Sequence, residues 1–214
     1  MIGTAEGRRG LLEGKVALVT GSTQGLGEGI ARRFVREGAR VVVNGRSADK
    51  GARVLSELRA LGGDAHFIQA NLCDAASAAR LVDETAAHFG RLDIVVNNAQ
   101  ITPPLVEATD PQTDAFLQQA LASGLHASLW TARAALPHLQ RAGGGRIINF
   151  ASINAAFGSR YGTAYNATKE AIRGLTRTLA QLRVRQFFAC DALPCSACDL
   201  ALLELLANSL LTCG

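Results

Sequence analysis

The chain has 214 residues, of which 48% are hydrophobic and 19% charged, and its formal net charge is +4. These values are typical of one globular domain with a continuous core and exclude a disordered chain. The basic residues are spread along the sequence and form no stripe, so we expect no nucleic acid among the partners. We find neither a basic-then-apolar leader nor a long uncharged apolar run, which predicts a cytoplasmic location without a membrane partner.

From residue 15 onward, short β-branched runs alternate with longer stretches of helical spacing. This alternation predicts strands at residues 16–20, 41–44, 66–69, 94–97 and 147–150, and helices at 26–37, 48–61, 75–89 and about 113–139. Gly38, Gly62 and Gly90 come just after three of these helices, where a left-handed residue is least costly without a side chain. Right-handed crossovers then give an α/β fold, a Rossmann-type doubly wound parallel sheet with its ligand crevice at the carboxyl ends of the strands.

The first predicted strand leads into a glycine-rich loop that opens a helix. The loop consists of Thr20, Gly21, Ser22, Thr23, Gln24, Gly25, Leu26 and Gly27. Backbone amides and the positive end of the helix can meet a pyrophosphate there, while the glycines permit its close approach. The hydroxyls of Thr20 and Ser22 can add contacts. Taken alone, the loop fits an ordinary glycine-rich turn equally well.

A second motif pairs a tyrosine with a lysine. Tyr165 and Lys169 are four residues apart, and Ser152 lies thirteen residues before the tyrosine. Residues at i and i+4 share one face of a helix, so the ammonium can lie near the phenol and favour its ionised form. A phenol with its ordinary pKa of about 10 is a poor acid-base catalyst at neutral pH until a neighbour lowers that pKa. Taken singly, a tyrosine is more often a buried structural residue than a catalyst, and a lysine is more often a solvated surface charge.

The order of these motifs resembles that of the short-chain dehydrogenase/reductase family over residues 12–180. The same resemblance includes Asn97-Asn98-Ala99 and Gly145-Arg146-Ile147-Ile148. It implies an oxidoreductase that interconverts a carbonyl and a primary or secondary alcohol with a nicotinamide cofactor and no metal. In such an enzyme Tyr165 is the acid-base, Lys169 lowers the pKa of the tyrosine and holds the nicotinamide ribose, and Ser152 orients the substrate oxygen.

The end of the second predicted strand favours NADP(H) over NAD(H). NAD enzymes usually carry a carboxylate there for the ribose hydroxyls, but Gly45 stands at this position and Arg46 follows it. A guanidinium pairs bidentately with a 2′-phosphate, which a carboxylate would repel. Gln24, where many NADP enzymes have a basic residue, supplies no second cation, and a solvated surface charge is the alternative for Arg46.

The adenosine half of the cofactor is expected to meet the next two loops. Asn71 and Leu72 replace the family's Asp-Val pair, and the Asn71 amide oxygen can still accept from the adenine amino group. The cofactor-binding residues implied by the resemblance are Thr20, Gly21, Ser22, Gln24, Gly25, Leu26, Gly27, Arg46, Asn71, Leu72, Asn98, Ala99, Tyr165 and Lys169.

Three features depart from the family pattern. Gln100 replaces a glycine, which strains the loop or narrows the cleft. Gly124 stands where the family has an asparagine that helps a lysine-linked water to relay protons. Beyond residue 180 the chain diverges: residues 187–193 fit a sixth strand, but 196–214 are too few for the substrate lid and the last strand. The alternative function is therefore a catalytically impaired cofactor-binding pseudoenzyme or interaction protein.

The divergent tail, residues 181–214, is predicted to belong to the same single domain as the rest of the chain. A zinc site in it would use Cys190, Cys195, Cys198 and Cys213, but these lack a second close pair and a nearby histidine, so we predict no metal. The tail fits a truncated, diverged or frame-shifted ending. The resemblance implies a homodimer formed by helices 113–139 and 164–182. The identity of the substrate is not readable without the lid.

Overall fold

A computed structural model describes residues 10–181 and the backbone of one further strand. The strands are β1 (Val16–Val19), β2 (Arg40–Gly45), β3 (Ala65–Gln69), β4 (Ile94–Asn97), β5 (Arg146–Phe150) and β6 (Phe187–Cys190). They form one parallel sheet in the order β3-β2-β1-β4-β5-β6. The sixth strand suggested for residues 187–193 is thus present in its first half. Residues 191–214, with the expected loss of the lid and last strand, lie outside the described residues.

The helices agree with the predicted alternation, with one exception. They are α1 (Gly25–Arg36), α2 (Ala48–Ala60), α3 (Ala75–Phe89), α4 (Thr113–Ala120), α5 (Ala127–Arg141), α6 (Ile153–Phe157) and α7 (Thr163–Ala180). Gly38, Gly62 and Gly90 take positive φ after α1, α2 and α3, as predicted.

The exception is the helix predicted at residues 113–139, which is not one regular helix. A π-helical turn, Leu121–His126, separates α4 from α5. Within it the Ser123 hydroxyl donates to the main-chain oxygen of Gln119 (2.9 Å) and accepts from the amide of Ile101 (3.1 Å). A serine that bonds to the backbone and a neighbouring glycine both weaken the regular helical ladder, which explains why the period changes here.

Both faces of the sheet are buried. Along β1, Val16 and Leu18 belong to one hydrophobic cluster, while Ala17 and Val19 belong to the other. Side chains of α3 and α5 complete the first cluster, and side chains of α1 and α2 complete the second. This two-sided burial explains why the strands are continuous apolar runs and lack polar alternation.

A buried polar network fixes the carboxyl ends of β4 and β5. Asn97 donates through Nδ2 to Oδ1 of Asn149 (2.8 Å), and Asn149 donates through Nδ2 to the Thr176 hydroxyl on α7 (2.9 Å). On α5, the Thr131 hydroxyl donates to Oδ1 of Asn97 (2.6 Å). Because these side chains are satisfied by one another, they hold α5 and α7 at defined positions against the edge of the sheet where the predicted site lies.

Candidate active site

A crevice of about 440 Å³ runs along the carboxyl edge of the sheet, where the fold predicts one. Its walls come from the loops that follow β1, β2, β3 and β4. Of the expected cofactor-binding residues, Gly21, Gln24, Gly25, Leu26, Arg46, Asn71, Leu72, Asn98 and Ala99 line it.

The positions of the first loop require glycine for different physical reasons. A β-carbon added at Gly21 (φ 60°) would lie 2.7 Å from the α-carbon of Ala99, and one at Gly27 would lie 2.5 Å from Nδ2 of Asn98. Gly25 (φ 58°) has only open space at that position. Gly21 and Gly27 therefore let the loop after β1 pack on the loop after β4, whereas Gly25 leaves the start of α1 open toward the crevice.

The start of α1 is a suitable anion site. The N-cap residue, Gln24, makes no side-chain hydrogen bond to the helix, as far as the described residues extend. The first amides of α1 thus keep free donors beside the crevice, and the helix dipole adds positive potential there. A pyrophosphate fits this combination of open backbone and uncapped helix.

The two loop hydroxyls are turned inward. The hydroxyl of Thr20 donates to the main-chain oxygen of Val96 (3.2 Å) and accepts from the amide of Asn98 (3.0 Å). The hydroxyl of Ser22 accepts from the amide of Asn44 (3.0 Å). Both side chains are buried and neither lines the crevice, so they shape the loop and leave ligand contact to its backbone.

The last residue of β2 carries no carboxylate and has little room for one. A β-carbon at Gly45 would lie 2.6 Å from the Thr23 side chain, so an aspartate at this position would require that side chain to move. Arg46 follows as an exposed residue on the crevice wall. Lys50 also lines the crevice, and its Nζ donates to Oε1 of Gln24 (2.6 Å). Sequence reasoning missed Lys50, although its place in the first turn of α2, four residues after Arg46, is the signal that points to it.

Asn71 lines the crevice after β3, as expected. Its amide oxygen accepts from the amide of Cys73 (3.2 Å), so this oxygen also holds the local turn. The neighbouring Leu72 is buried and supplies an apolar wall.

Tyr165 and Lys169 lie on α7, which packs on β5, and Ser152 follows the end of that strand. Ser152 follows β5, is buried, and accepts through Oγ from the amide of Asn154 (3.3 Å) as the N-cap of α6. On α7, Nζ of Lys169 lies 5.6 Å from the ring centroid of Tyr165 and donates to the main-chain oxygen of Phe150 (2.7 Å). That hydrogen bond ties α7 to β5 two residues before the serine.

Burial controls the charge of Lys169. The side chain is only 6% exposed, and desolvation lowers its pKa to about 8. Lys169 is therefore mostly protonated at neutral pH and loses its charge as the pH rises through about 8. The structure thus gives Tyr165 a cationic neighbour under ordinary conditions.

The lowered pKa predicts a specific dependence of stability on pH. In the unfolded chain the pKa of a lysine is about 10.4, so between pH 8 and that value the unfolded state binds more protons than the folded state. The free energy of unfolding should therefore rise with pH across this window, by ~3 kcal/mol relative to a Lys169→Met variant. Urea unfolding of both proteins from pH 7 to 11 measures the difference, and parallel profiles would contradict the assigned pKa.

Two of the three departures from the family pattern, Gln100 and Gly124, lie against each other. Gly124 is buried in the π-helical turn, and a β-carbon there would lie 2.9 Å from Cγ2 of Thr168 and 3.3 Å from Cδ of Gln100. The crevice wall ends at Gln100, Ile101 and Ser123. Ser152, Tyr165 and Lys169 are not among the described residues that line it.

These features define a single-domain Rossmann-type α/β protein with a glycine-loop crevice. The chain belongs to the short-chain dehydrogenase family, whose model matches residues 15–186. The resemblance seen in the sequence is thereby confirmed.

Relatives of known name support the assignment. The chain is 34% identical to a 7alpha-hydroxysteroid dehydrogenase of Clostridium sardiniense over 183 residues, covering 85% of this chain and 70% of that protein. It is 40% identical to a hydroxynaphthalene reductase of Aspergillus fumigatus over 172 residues, covering 79% of this chain and 61% of that protein.

Solved structures of family members have the same fold as this chain. A short chain dehydrogenase from Burkholderia cenocepacia in complex with NADP superposes with a TM-score of 0.73 at 36% identity, covering 81% of this chain and 69% of that one. A short-chain type dehydrogenase/reductase from Mycobacterium ulcerans gives a TM-score of 0.75 at 30% identity, covering 79% and 62%. The chain spans about two thirds of the length of such relatives. Within the described part of the chain, no helix has the length and apolar content needed to cross a membrane.

Proposed function

We propose that the protein is an NADP(H)-dependent oxidoreductase that interconverts a small ketone, aldehyde or oxoacyl group and the corresponding alcohol. The observation that carries this proposal is the hydrogen bond from Lys169 to Phe150, which holds the Tyr165-Lys169 face of α7 beside Ser152. The glycine-loop crevice extends to the loop after β4, and Ser152 follows the neighbouring strand β5, on which the helix of Tyr165 and Lys169 packs.

The residues present fit a nicotinamide dinucleotide. The uncapped start of α1 and the open space at Gly25 suit a pyrophosphate, and basic side chains stand at the β2 end of the crevice. When bound, the cofactor supplies or accepts the hydride.

The chain's own residues handle the substrate oxygen and its proton. In reduction, the Tyr165 hydroxyl donates its proton to the carbonyl oxygen, and in oxidation it takes a proton from the alcohol. The ammonium of Lys169, at 5.6 Å from the ring, stabilises the phenolate formed after donation. Because Ser152 Oγ accepts from the amide of Asn154, its own hydrogen is available to donate to the substrate oxygen.

The preference for NADP(H) over NAD(H) is supported by three residues. Gly45 has no carboxylate to bind an unphosphorylated ribose, and Thr23 lies 2.6 Å from where a β-carbon at this position would stand. Arg46 and Lys50 both line the adjoining wall, and two cations favour a 2′-phosphate.

Replacing either cation should weaken NADPH binding selectively. Arg46→Ala and Lys50→Ala are each expected to raise the Kd for NADPH roughly 10-fold and to leave the Kd for NADH unchanged, because each removes one charge-assisted contact to the 2′-phosphate. Calorimetric titration of both cofactors measures this. Arg80→Ala is the matched control, since Arg80 pairs with Glu84 on α3 and does not line the crevice. Equal affinities of the parent protein for the two cofactors would overturn the preference.

A cofactor-binding pseudoenzyme or interaction protein of the same fold is the second candidate. It is favoured by Gly124, which has no side-chain amide to offer to a proton relay, and by the crevice wall, which ends before the Ser152, Tyr165 and Lys169 group. The two candidates differ in one assay. A parent protein that binds NADPH but reduces nothing in a broad panel of ketones and aldehydes supports the pseudoenzyme.

We also propose a homodimer that packs through the α4 to α5 region and α7. The family resemblance supports it, and the proposed contact ranges are 113–139 and 164–182, of which residue 182 lies outside the described part. Light scattering that gives only the monomer mass at micromolar concentration would contradict the dimer. The cytoplasmic location stays a prediction from the sequence.

A further inference from the structure

The side-chain amide of Gln100 is buried without a partner. Neither Nε2 nor Oε1 is accessible to solvent, and neither finds a hydrogen-bond partner among the described residues. A buried polar group left unsatisfied destabilises a protein, and this amide has two such groups. A ligand that supplies both an acceptor and a donor at this point would remove that penalty.

The surroundings of Gln100 are shaped to hold its amide. A β-carbon at Gly124 would lie 3.3 Å from Cδ of Gln100, which is a tight contact, and 3.5 Å from Nε2, which is an ordinary one. Glycine at position 124 therefore makes room for glutamine at position 100. The same β-carbon would lie 2.9 Å from Thr168, the residue before Lys169 on α7. The Gln100 amide thus lies at the junction of the crevice wall and the helix that carries the proposed acid-base group.

The order of the strands identifies the part of a ligand that reaches this point. Arg46 follows β2 and the glycine loop follows β1, while Gln100 follows β4 and Ser152 follows β5. Because β1 lies between β2 and β4, Gln100 and Arg46 are on opposite sides of the glycine loop. A dinucleotide with its 2′-phosphate toward Arg46 and its pyrophosphate at the loop extends its other nucleoside toward Gln100.

We propose that Gln100 is a cofactor-binding residue for the nicotinamide nucleoside half of the dinucleotide. The ribose hydroxyls and the carboxamide of that nucleoside both donate and accept, as Nε2 and Oε1 require. Gly124 serves this contact by leaving the amide its space. The inference rests on the proposed function, since it takes the ligand to be a nicotinamide dinucleotide.

The test compares the whole cofactor with a fragment that lacks the nicotinamide half. Gln100→Met keeps the length of the side chain and removes both polar atoms. Calorimetry should give a roughly 10-fold higher Kd for NADPH and an unchanged Kd for adenosine 2′,5′-bisphosphate, because two neutral hydrogen bonds are lost only with the former. Thermal melting of the variant without ligand controls for folding, and we expect a melting temperature equal to or above that of the parent.

A second pair of variants examines the role of Gly124. Gly124→Ala should weaken NADPH binding more in the parent than in a Gln100→Ala background, because in the latter the methyl group no longer displaces an amide. Additive effects of the two substitutions would show that Gly124 does not serve Gln100.

Three results would overturn the contact. NADPH binding unchanged in Gln100→Met would show that the amide makes no bond, tighter binding would show that Gln100 obstructs the crevice, and equal losses for cofactor and fragment would show a general distortion. A parent protein that binds neither ligand would remove the proposed function and this inference together. If the parent binds both NADPH and adenosine 2′,5′-bisphosphate and any of the three results above is found, only the inference about Gln100 is removed.

Discussion

Substituting phenylalanine for Tyr165 is expected to lower carbonyl reduction by roughly 100-fold or more while NADPH affinity persists. The substitution removes one hydroxyl and keeps the ring over which Nζ of Lys169 lies at 5.6 Å. The proposed proton donor is therefore lost, whereas the packing of α7 on β5 is kept. Single-turnover reduction of one ketone, followed by the loss of NADPH absorbance, measures the ratio of parent to variant.

Two further variants make this result specific. The chain has two tyrosines, and Tyr161→Phe removes the other phenol, which is 47% exposed and stacks near Arg160. This control should retain most of the parental rate. Lys169→Ala should reduce both turnover and NADPH affinity, because it removes the cation beside Tyr165 and a proposed ribose contact. Parental turnover in Tyr165→Phe would overturn the assignment of the acid-base.

Replacing Gly21 by alanine should destabilise the protein far more than the same change at Gly25. Both residues have positive φ, which disfavours any side chain by about 1–2 kcal/mol. Only at Gly21 does the new β-carbon also meet backbone, 2.7 Å from the α-carbon of Ala99. Moving the loop after β4 away from the loop after β1 adds about 1–3 kcal/mol to the loss of unfolding free energy at Gly21.

For Gly25→Ala, the main expected effect is on NADPH binding rather than on stability. Gly25→Ala places a methyl group in open space at the start of α1, so it should raise the Kd for NADPH roughly 10-fold for a modest loss of stability. Urea unfolding and calorimetry on both variants give the comparison. Equal losses of unfolding free energy would mean that the contact between Gly21 and Ala99 carries no strain.

The order of the elements was predictable from the sequence because local signals agree with one another. Strands buried on both faces are apolar runs, and the glycines after α1, α2 and α3 mark the ends of these helices. The helix predicted at 113–139 is confirmed as one helical stretch, but its π-helical turn was not predicted, because the sequence between α4 and α5 keeps a helical pattern. The bond from Ile101 to Ser123 joins residues 22 positions apart, and no local pattern reveals it.

The site was predictable where its residues follow one another closely and less so where they meet across the fold. The glycine loop and the Tyr165-Lys169 pair are local in sequence. The contact of Lys50 with Gln24 and that of Gln100 with Gly124 depend on how separate loops pack. A single sequence therefore identified Gln100 and Gly124 as two departures, whereas the structure reveals that they are neighbours.

The π-helical turn has a consequence for how this wall of the protein can change in evolution. Such a turn has one residue more than an α-helical turn, so the helix on either side is offset by one position. Removing one residue from Leu121–His126 would restore the regular α-helical period and rotate Ser123 and Gly124 away from their present neighbours. Insertions and deletions of single residues can thus remodel this part of the site more strongly than most substitutions.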